Sequence, residues 1–371
     1  MGVDLSVVII CLCAALALAA EFRGAYVTSW NKGFRTPEEV DLTVQAAKTA
    51  GLNALVVEVR KVGDAYYQTD LEPIGSEVPD DFDPLAYTIE KAHAEGMQVH
   101  AWLVVYRVWR DSDKPEPGHI LADHPEWASL NFDGELNAEE GVYIDPGIPE
   151  YREHFANLCA DIAKRYSVDG IHYDYVRYPN RQWGYAQIAL DRYFAEVGAT
   201  DKPSPHDPKW LQWRRDQVTA LVRLVHERVK AINPEVKIQA STIAWGECTE
   251  NFEGTRAYND CCQDWRLWME NGLIDENCPM VYGREFEETG AAYFRSWIDG
   301  TAKWSYGLPA YVALASMWNN AKQLLSQIDV IRNAGLAGWV LFAFDQSEQR
   351  TKKSEDLGKS LYPAPQLSTR K

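Results

Sequence analysis

Five acidic residues in this chain stand in or just after short apolar runs, each with an aromatic residue close by. Asp174 closes Asp169-Gly170-Ile171-His172-Tyr173-Asp174, Glu58 sits inside Ala54–Val59, Glu247 follows Trp245, Glu285 follows Tyr282, and Asp345 follows Phe344. Carboxylates interleaved with aromatics suit one chemistry above others. A sugar ring has an apolar face and a rim of hydroxyls, so its site calls for Trp and Tyr to stack on and Asp, Glu and Arg to bond the rim. Breaking a glycosidic bond usually takes two carboxyl groups, one donating a proton to the leaving oxygen and the other acting as nucleophile or activating water. Asp174 is the leading catalytic candidate. Its partner is sought first in Glu285, then in Glu247, with Glu58 the other choice, because a glutamate in an apolar strand must be paired or protonated.

His172 precedes Asp174 by two residues, the spacing that keeps both on one side of a strand. With His100 it is expected to bind hydroxyls, while Trp102, Trp245, Tyr178 and Tyr282 are stacking candidates and Arg60, Asp64 and Asp345 polar contacts. Each has a plainer alternative. Asp174 could pair with Arg177 or Arg60, Gly63-Asp64 also reads as a turn, Glu247 and Glu285 as loop acids (Arg284 adjoins the latter), and Asp345 as a cap. Any single Trp is more often core than platform. Trp213-Arg214-Arg215 read as an exposed helix surface.

The elements that must position these groups alternate regularly. Strand candidates are Gly24–Ser29, Ala54–Val59, Val99–Tyr106, Gly170–Tyr173, Lys237–Ile243, Glu276–Tyr282, Ala310–Ala315 and Gly338–Phe344. Continuous apolar runs of this kind suit strands buried on both faces. Between them lie helices with clear start signals. Thr36-Pro37, Asp83-Pro84 and Asp207-Pro208 each place a capping side chain before Pro at the first helical position. Val218, Leu221, Val222, Val225 and Val229 then form a core-facing stripe. Eight strand–helix units without a G-x-G-x-x-G after the first strand point to a (β/α)8 TIM barrel in one domain, residues 21–346, with its site at the C-terminal strand ends. Only a polar tail, 347–371, follows, so the eighth helix is expected to be short or absent.

Several segments resemble the glycosyl-hydrolase-like family 10, also called the domain of unknown function 187 family. They are RGAYVTSW, NALVVEVRKVGDAYY, DGIHYDYVRYP, WLQWRRDQVTALV and DWRLWMENGLIDENCPMVYGRE, in that order across nearly the whole mature chain. The resemblance implies a TIM barrel and glycosidase activity on bacterial or other polysaccharide. The sequence departs from the family at Glu58, where relatives tend to carry Gln, and its acids at Glu247 and Asp345 are not family-wide.

The formal charge of −17 over 371 residues argues against nucleic acid or an anionic membrane surface as partner. Residues 1–20 read as an export signal, an apolar run from Val7 ending in the small-x-small Ala17-Leu18-Ala19. The expected location is therefore periplasmic or secreted. Beyond Cys11 and Cys13 in that run, Cys159, Cys248, Cys261, Cys262 and Cys278 remain, an odd number, read mostly as small buried hydrophobes. No spacing suggests a metal, and no cofactor is expected. The leading reading is an exported glycoside hydrolase acting on an oligo- or polysaccharide. A non-catalytic carbohydrate-binding barrel comes second, and a metal-dependent hydrolase or deacetylase third, since Thr28-Ser29-Trp30 offers no metal ligand of the kind that chemistry needs.

Overall fold

The computed structural model describes residues 21–110, 115–344, 352 and 355–359. The segment read as an export signal, Asp345 and most of the C-terminal tail lie outside these residues. Eight parallel strands close into a barrel: β1 (Phe22–Val27), β2 (Ala54–Arg60), β3 (Gln98–Val104), β4 (Gly170–Asp174), β5 (Lys237–Ile243), β6 (Glu276–Met280), β7 (Tyr311–Ala315) and β8 (Gly338–Phe342). Every neighbour in the barrel is a neighbour in sequence, and β8 returns to pair with β1. The helices include α1 (Pro37–Thr49), α2 (Pro84–Ala94), α3 (Pro149–Arg165), α4 (Gln187–Val197), α5 (Pro208–Ile232), α6 (Trp265–Glu270), α7 (Glu288–Trp304) and α8 (Ala321–Asn333). Past β8, residues 355–359 form a helical turn that buries Leu357, and the Thr49 carbonyl leaves no room for a side chain at Gly358.

The expected capping works as the sequence suggests. Thr36, Asp83 and Asp207 accept hydrogen bonds from the first-turn amides of α1, α2 and α5, which satisfies donors that a helix start leaves unpaired. The apolar stripe of α5 is fully buried. Its N-terminal half corrects the sequence reading: Trp213, Arg214 and Arg215 are buried, not an exposed surface. The reason is that α4 and the chain leaving β4 fold over this end of the helix. Trp213 stacks on Trp210 with centroids 5.1 Å apart, and Arg214 donates to the backbone carbonyls of Arg181 and Trp183.

The main core lies between strands and helices, while the barrel interior holds a smaller cluster around Phe22, Tyr26, Val56, Trp102, Cys278, Tyr311 and Val340. A polar chain runs through this interior. Tyr26 Oη and Ser241 Oγ lie 3.2 and 2.8 Å from His172 Nε2, and His172 Nδ1 lies 3.2 Å from Gln239 Oε1. Gln239 Nε2 then donates to Glu276, which also accepts from Tyr311 at 2.8 Å. One seam of the barrel is sparse. β6 and β7 register only through Met280 and Ala313, with a lone bridge from Asn277 to Ala310. Pro279 in β6 has no amide to contribute.

Candidate active site

At the C-terminal strand ends the barrel opens into a cavity of about 330 Å³, where sites on this fold lie. Its floor is Tyr26, Trp102, Ser241 and Phe342, from β1, β3, β5 and β8. Trp30, Tyr175, Trp245 and Tyr282 supply aromatic walls, and Glu58, Glu140, Asp174, Arg107, Arg110 and Arg177 the charges.

Glu58 and Asp174 enter from β2 and β4 and are both buried. Glu58 Oε2 accepts from the Ser29 amide at 2.9 Å and the Ser29 hydroxyl at 3.0 Å, while Oε1 has no hydrogen bond among the described residues. Burial pushes the Glu58 carboxyl up to about 7, against those two hydrogen bonds and the Arg107 charge, with Asp174 adding to the rise. Asp174 is raised as well, first by burial. The Tyr175 amide, donating at 2.7 Å, and the charges of Arg107 and Arg177 counter that rise. Tyr175 adopts the left-handed region at φ 52°, uncommon for a residue with a side chain. Two carboxyls that feel each other across one cavity, one holding its proton near neutrality, are the pair that acid-assisted bond cleavage requires.

Arg177 is buried beneath the wall and binds Glu140 with two contacts of 3.0 Å, and Tyr143 donates to the same carboxylate at 2.6 Å. Arg177 also lies 4.7 Å from the Trp245 ring centroid. Arg107, Arg110 and Glu140 come from the long excursion between β3 and α3, braced by an antiparallel pair, Arg107–Trp109 with Val142–Tyr143.

The cavity therefore gathers Asp174, Glu58, Trp102, Trp245 and Tyr282 from the residues singled out in the sequence. His172 lies directly beneath, its imidazole held neutral and lowered to about 3 by burial, and touching the cavity only through Tyr26 and Ser241. His100 is deeper still, packed edge-on against Phe22 and bonded to Gln98. The remaining expectations are not brought to the cavity. Glu285 is gripped by Arg295 and Ser326, each at 2.9 Å, between α7 and α8. Glu247 is exposed on the loop past Trp245. Tyr178 is buried, its hydroxyl 3.5 Å from Asp145. Asp64 accepts from the Val62 amide and faces Lys61 at 3.6 Å, which makes it a turn residue.

Arg60 shows most clearly why. Alternation puts Glu58 and Arg60 on one side of β2, but the register slips between them, with Glu58 opposite Trp102 and Arg60 opposite Leu103. This bulge turns Arg60 out of the barrel, where it grips Glu72 with two bonds of 2.7 Å. All five cysteines among the described residues are free, and all but Cys248 are buried.

A glycosyl hydrolase-like 10 family model matches residues 21–306. The chain belongs to that family. It is 30% identical over 288 residues to glycosyl hydrolase YngK of Bacillus subtilis, covering 73% of this chain and 50% of that protein. To glycosyl hydrolase DigH of Escherichia coli K12 it is 27% identical over 280 residues, covering 68% of this chain and 58% of that protein. The chain thus spans little more than half the length of these curated relatives. Among solved structures, the glycoside hydrolase domain of PgaB (BpsB) from Bordetella bronchiseptica superposes with a TM-score of 0.66 at 14% identity, over 91% of this chain and 99% of that one. The catalytic domain of β-amylase from Paenibacillus polymyxa gives 0.64 at 12% identity, over 91% and 98%. The family and the barrel are those expected from the sequence, and they support a glycosidase-type function.

Proposed function

We propose that the protein is an exported glycoside hydrolase that cleaves O-glycosidic bonds in an oligo- or polysaccharide, with Glu58 as general acid and Asp174 as its ionised partner. The observation that carries this reading is the pairing of two buried carboxyls in one aromatic-walled cavity, of which Glu58 keeps its proton to about pH 7. Glu58, anchored through Oε2 by Ser29, presents Oε1 as the donor to the leaving oxygen. Asp174, flanked by Arg107, Arg177 and the Tyr175 amide, directs negative charge at the anomeric carbon or at the water that attacks it. Trp102, Trp245 and Tyr282 offer ring faces to the sugar. Export rests on the apolar run of residues 1–20.

The test is reducing-end release from a panel of polysaccharides and cell-wall glycan strands by wild type, Glu58→Gln and Asp174→Asn. Release by wild type that collapses in both variants supports the pair. Release that survives in Asp174→Asn removes Asp174 from the mechanism. Sugar binding with no release from any substrate replaces the hydrolase by a carbohydrate-binding barrel.

A further inference from the structure

Beyond Trp245 the barrel mouth carries a second hollow, of about 230 Å³. It shares Trp245 and Glu140 with the cavity and is completed by Glu139, Pro179, Asn180 and Arg256. Both of its sides are rigid. On one, Ala138 and Gly141 exchange two backbone hydrogen bonds, of 3.0 and 3.1 Å, across a tight turn with the two glutamates at its tip. Gly141 adopts φ 123°, and the Trp109 carbonyl leaves no room for a side chain there. On the other side, Asn180 starts a turn. Its Oδ1 accepts from the Gln182 amide at 2.9 Å and its backbone carbonyl from the Trp183 amide at 3.2 Å. Arg177 braces the segment before it by donating to the carbonyls of Tyr178 and Pro179.

These turns consume some polar groups and hold others in place unused. Glu140 is taken up by Arg177 and Tyr143 on the cavity side. Glu139 beside it is exposed and, among the described residues, makes no hydrogen bond or ion pair. Asn180 spends its oxygen on the turn, while its Nδ2 has no acceptor among the described residues. Arg256 is neutralised by Asp260 at 2.8 Å and lies 5.6 Å from the Trp245 ring centroid. The hollow thus offers a fixed carboxylate acceptor and a fixed amide donor beside an indole. A ring bearing hydroxyls, which both donate and accept, answers to that set; an anion would meet the Glu139 charge. The placement also fits a chain. Trp30 follows β1 and Trp245 follows β5, strands that stand opposite each other in a barrel closed in sequence order. The hollow, at the β4–β5 rim, therefore lies across the mouth from Trp30, with the cavity between.

We propose that this hollow is a second sugar subsite, in which the Asn180 amide and the Glu139 carboxylate bond the hydroxyls of the unit next along the chain from the one in the cavity. Trp245 then stands between two neighbouring units. The inference rests on the glycosidase reading for the ligand being a glycan, but it concerns grip and not cleavage. Its consequence is a dependence on chain length, because the hollow is reached only by a glycan longer than the cavity alone can hold.

The experiment uses a ladder of oligomers of two to six units, prepared from whichever panel polysaccharide gives the greatest release, or the tightest binding where none is cleaved. Affinity is read by calorimetry in Glu58→Gln, which keeps the oligomers intact, and kcat/KM is read in wild type. One step of the ladder, the first unit to reach the hollow, should tighten binding and raise kcat/KM roughly 3- to 30-fold, the range for one or two added hydrogen bonds. Adding Glu139→Ala and Asn180→Ala together should reduce that step to within about twofold. A ladder without a step in wild-type kcat/KM and in binding overturns the subsite, and needs neither of these two substitutions to fold. A step that survives intact in the folded double variant overturns it too. If the double variant weakens short and long oligomers equally, the two residues only brace the cavity wall and the subsite is refuted. A step in binding without release from any oligomer upholds the subsite and strikes the hydrolase reading alone. Release with no step does the reverse.

Discussion

Glu58 and Glu72 are equally hidden from water, and the chain places them on opposite sides of the same strand end. Their chemistry diverges completely. Burial alone would raise Glu72, but the two bonds from Arg60 and the contact from His154 hold it down at about 2. Glu58 has only the Ser29 donors and a more distant Arg107, and it rises to about 7. What separates a structural acid from a reactive one is therefore not depth but whether a cation has been brought into bonding contact. The β2 bulge decides which glutamate receives Arg60. Behind the strand, every oxygen of Glu72 is bonded and the charge is locked; in the cavity, Glu58 keeps one oxygen unclaimed.

Exchanging each carboxyl for its amide tests that contrast most sharply. Glu58→Gln should lower kcat by roughly 10²- to 10⁴-fold, the range for losing a general acid, with the thermal midpoint unchanged or raised because a neutral group replaces a neutral one. Glu72→Gln should do the opposite. It leaves Arg60 buried without its counterion, at a cost of about 3–5 kcal/mol by denaturant unfolding, while turnover per folded molecule stays within about twofold of wild type. Large kinetic loss in Glu72→Gln would show that the two regions are coupled and the comparison mistaken.

The pH dependence separates the same two groups. Glu58 is raised above its unfolded value, so its contribution to stability is full below about pH 4.5 and is lost as pH rises through about 7. Glu72 is depressed, so its contribution is full above about pH 4.5 and is lost as pH falls toward about 2. Midpoints measured across pH should decline from about 4.5 to 7 in wild type and less so in Glu58→Gln, a difference of about 3 kcal/mol at most for a shift of this size. In the same window kcat/KM should fall as pH rises through about 7, as the acid loses its proton. A profile that keeps rising past that point removes Glu58 from the donor role.

The smallest expected effect is at Glu285. Its Oε1 is held by Arg295 and Ser326 outside the cavity, so Glu285→Gln should change turnover less than about threefold and cost about 1–2 kcal/mol of stability. A collapse of activity there would restore it as the partner acid.

How much of this was legible in the sequence varies with the physics involved. All eight strands fall within two residues of the runs read from apolar continuity, and three helices start at their Thr-Pro or Asp-Pro signals, because burial on both faces and capping are local properties. Asp174 and His172 share the barrel interior as their spacing implied. The failures are non-local. Alternation does not announce a bulge, so Arg60 was read onto the wrong face. Glu140 belongs to a loop that reaches the cavity only by folding back through the Arg107–Trp109 and Val142–Tyr143 pair, and no period marks it. Arg107-Val108-Trp109-Arg110, with cations bracketing an apolar pair directly after β3, was the one signal that the wall residues did leave. Glu285 looked promising from its distance past β6, but Ser326 on α8, 41 residues downstream, claims it.

The thin junction between β6 and β7 gives the barrel a weakest stave. With Pro279 withholding a donor and only the Met280–Ala313 pair and the Asn277–Ala310 bridge holding the two edges, amides along this line should surrender their protons to heavy water well before those of the densely laddered β2–β3 boundary. Tyr282, which walls the cavity just past β6, hangs from that stave. The joint expected to give first under thermal motion is thus beside the cavity, and a ligand bound there would be expected to slow exchange at β6 and β7 more than anywhere else in the barrel.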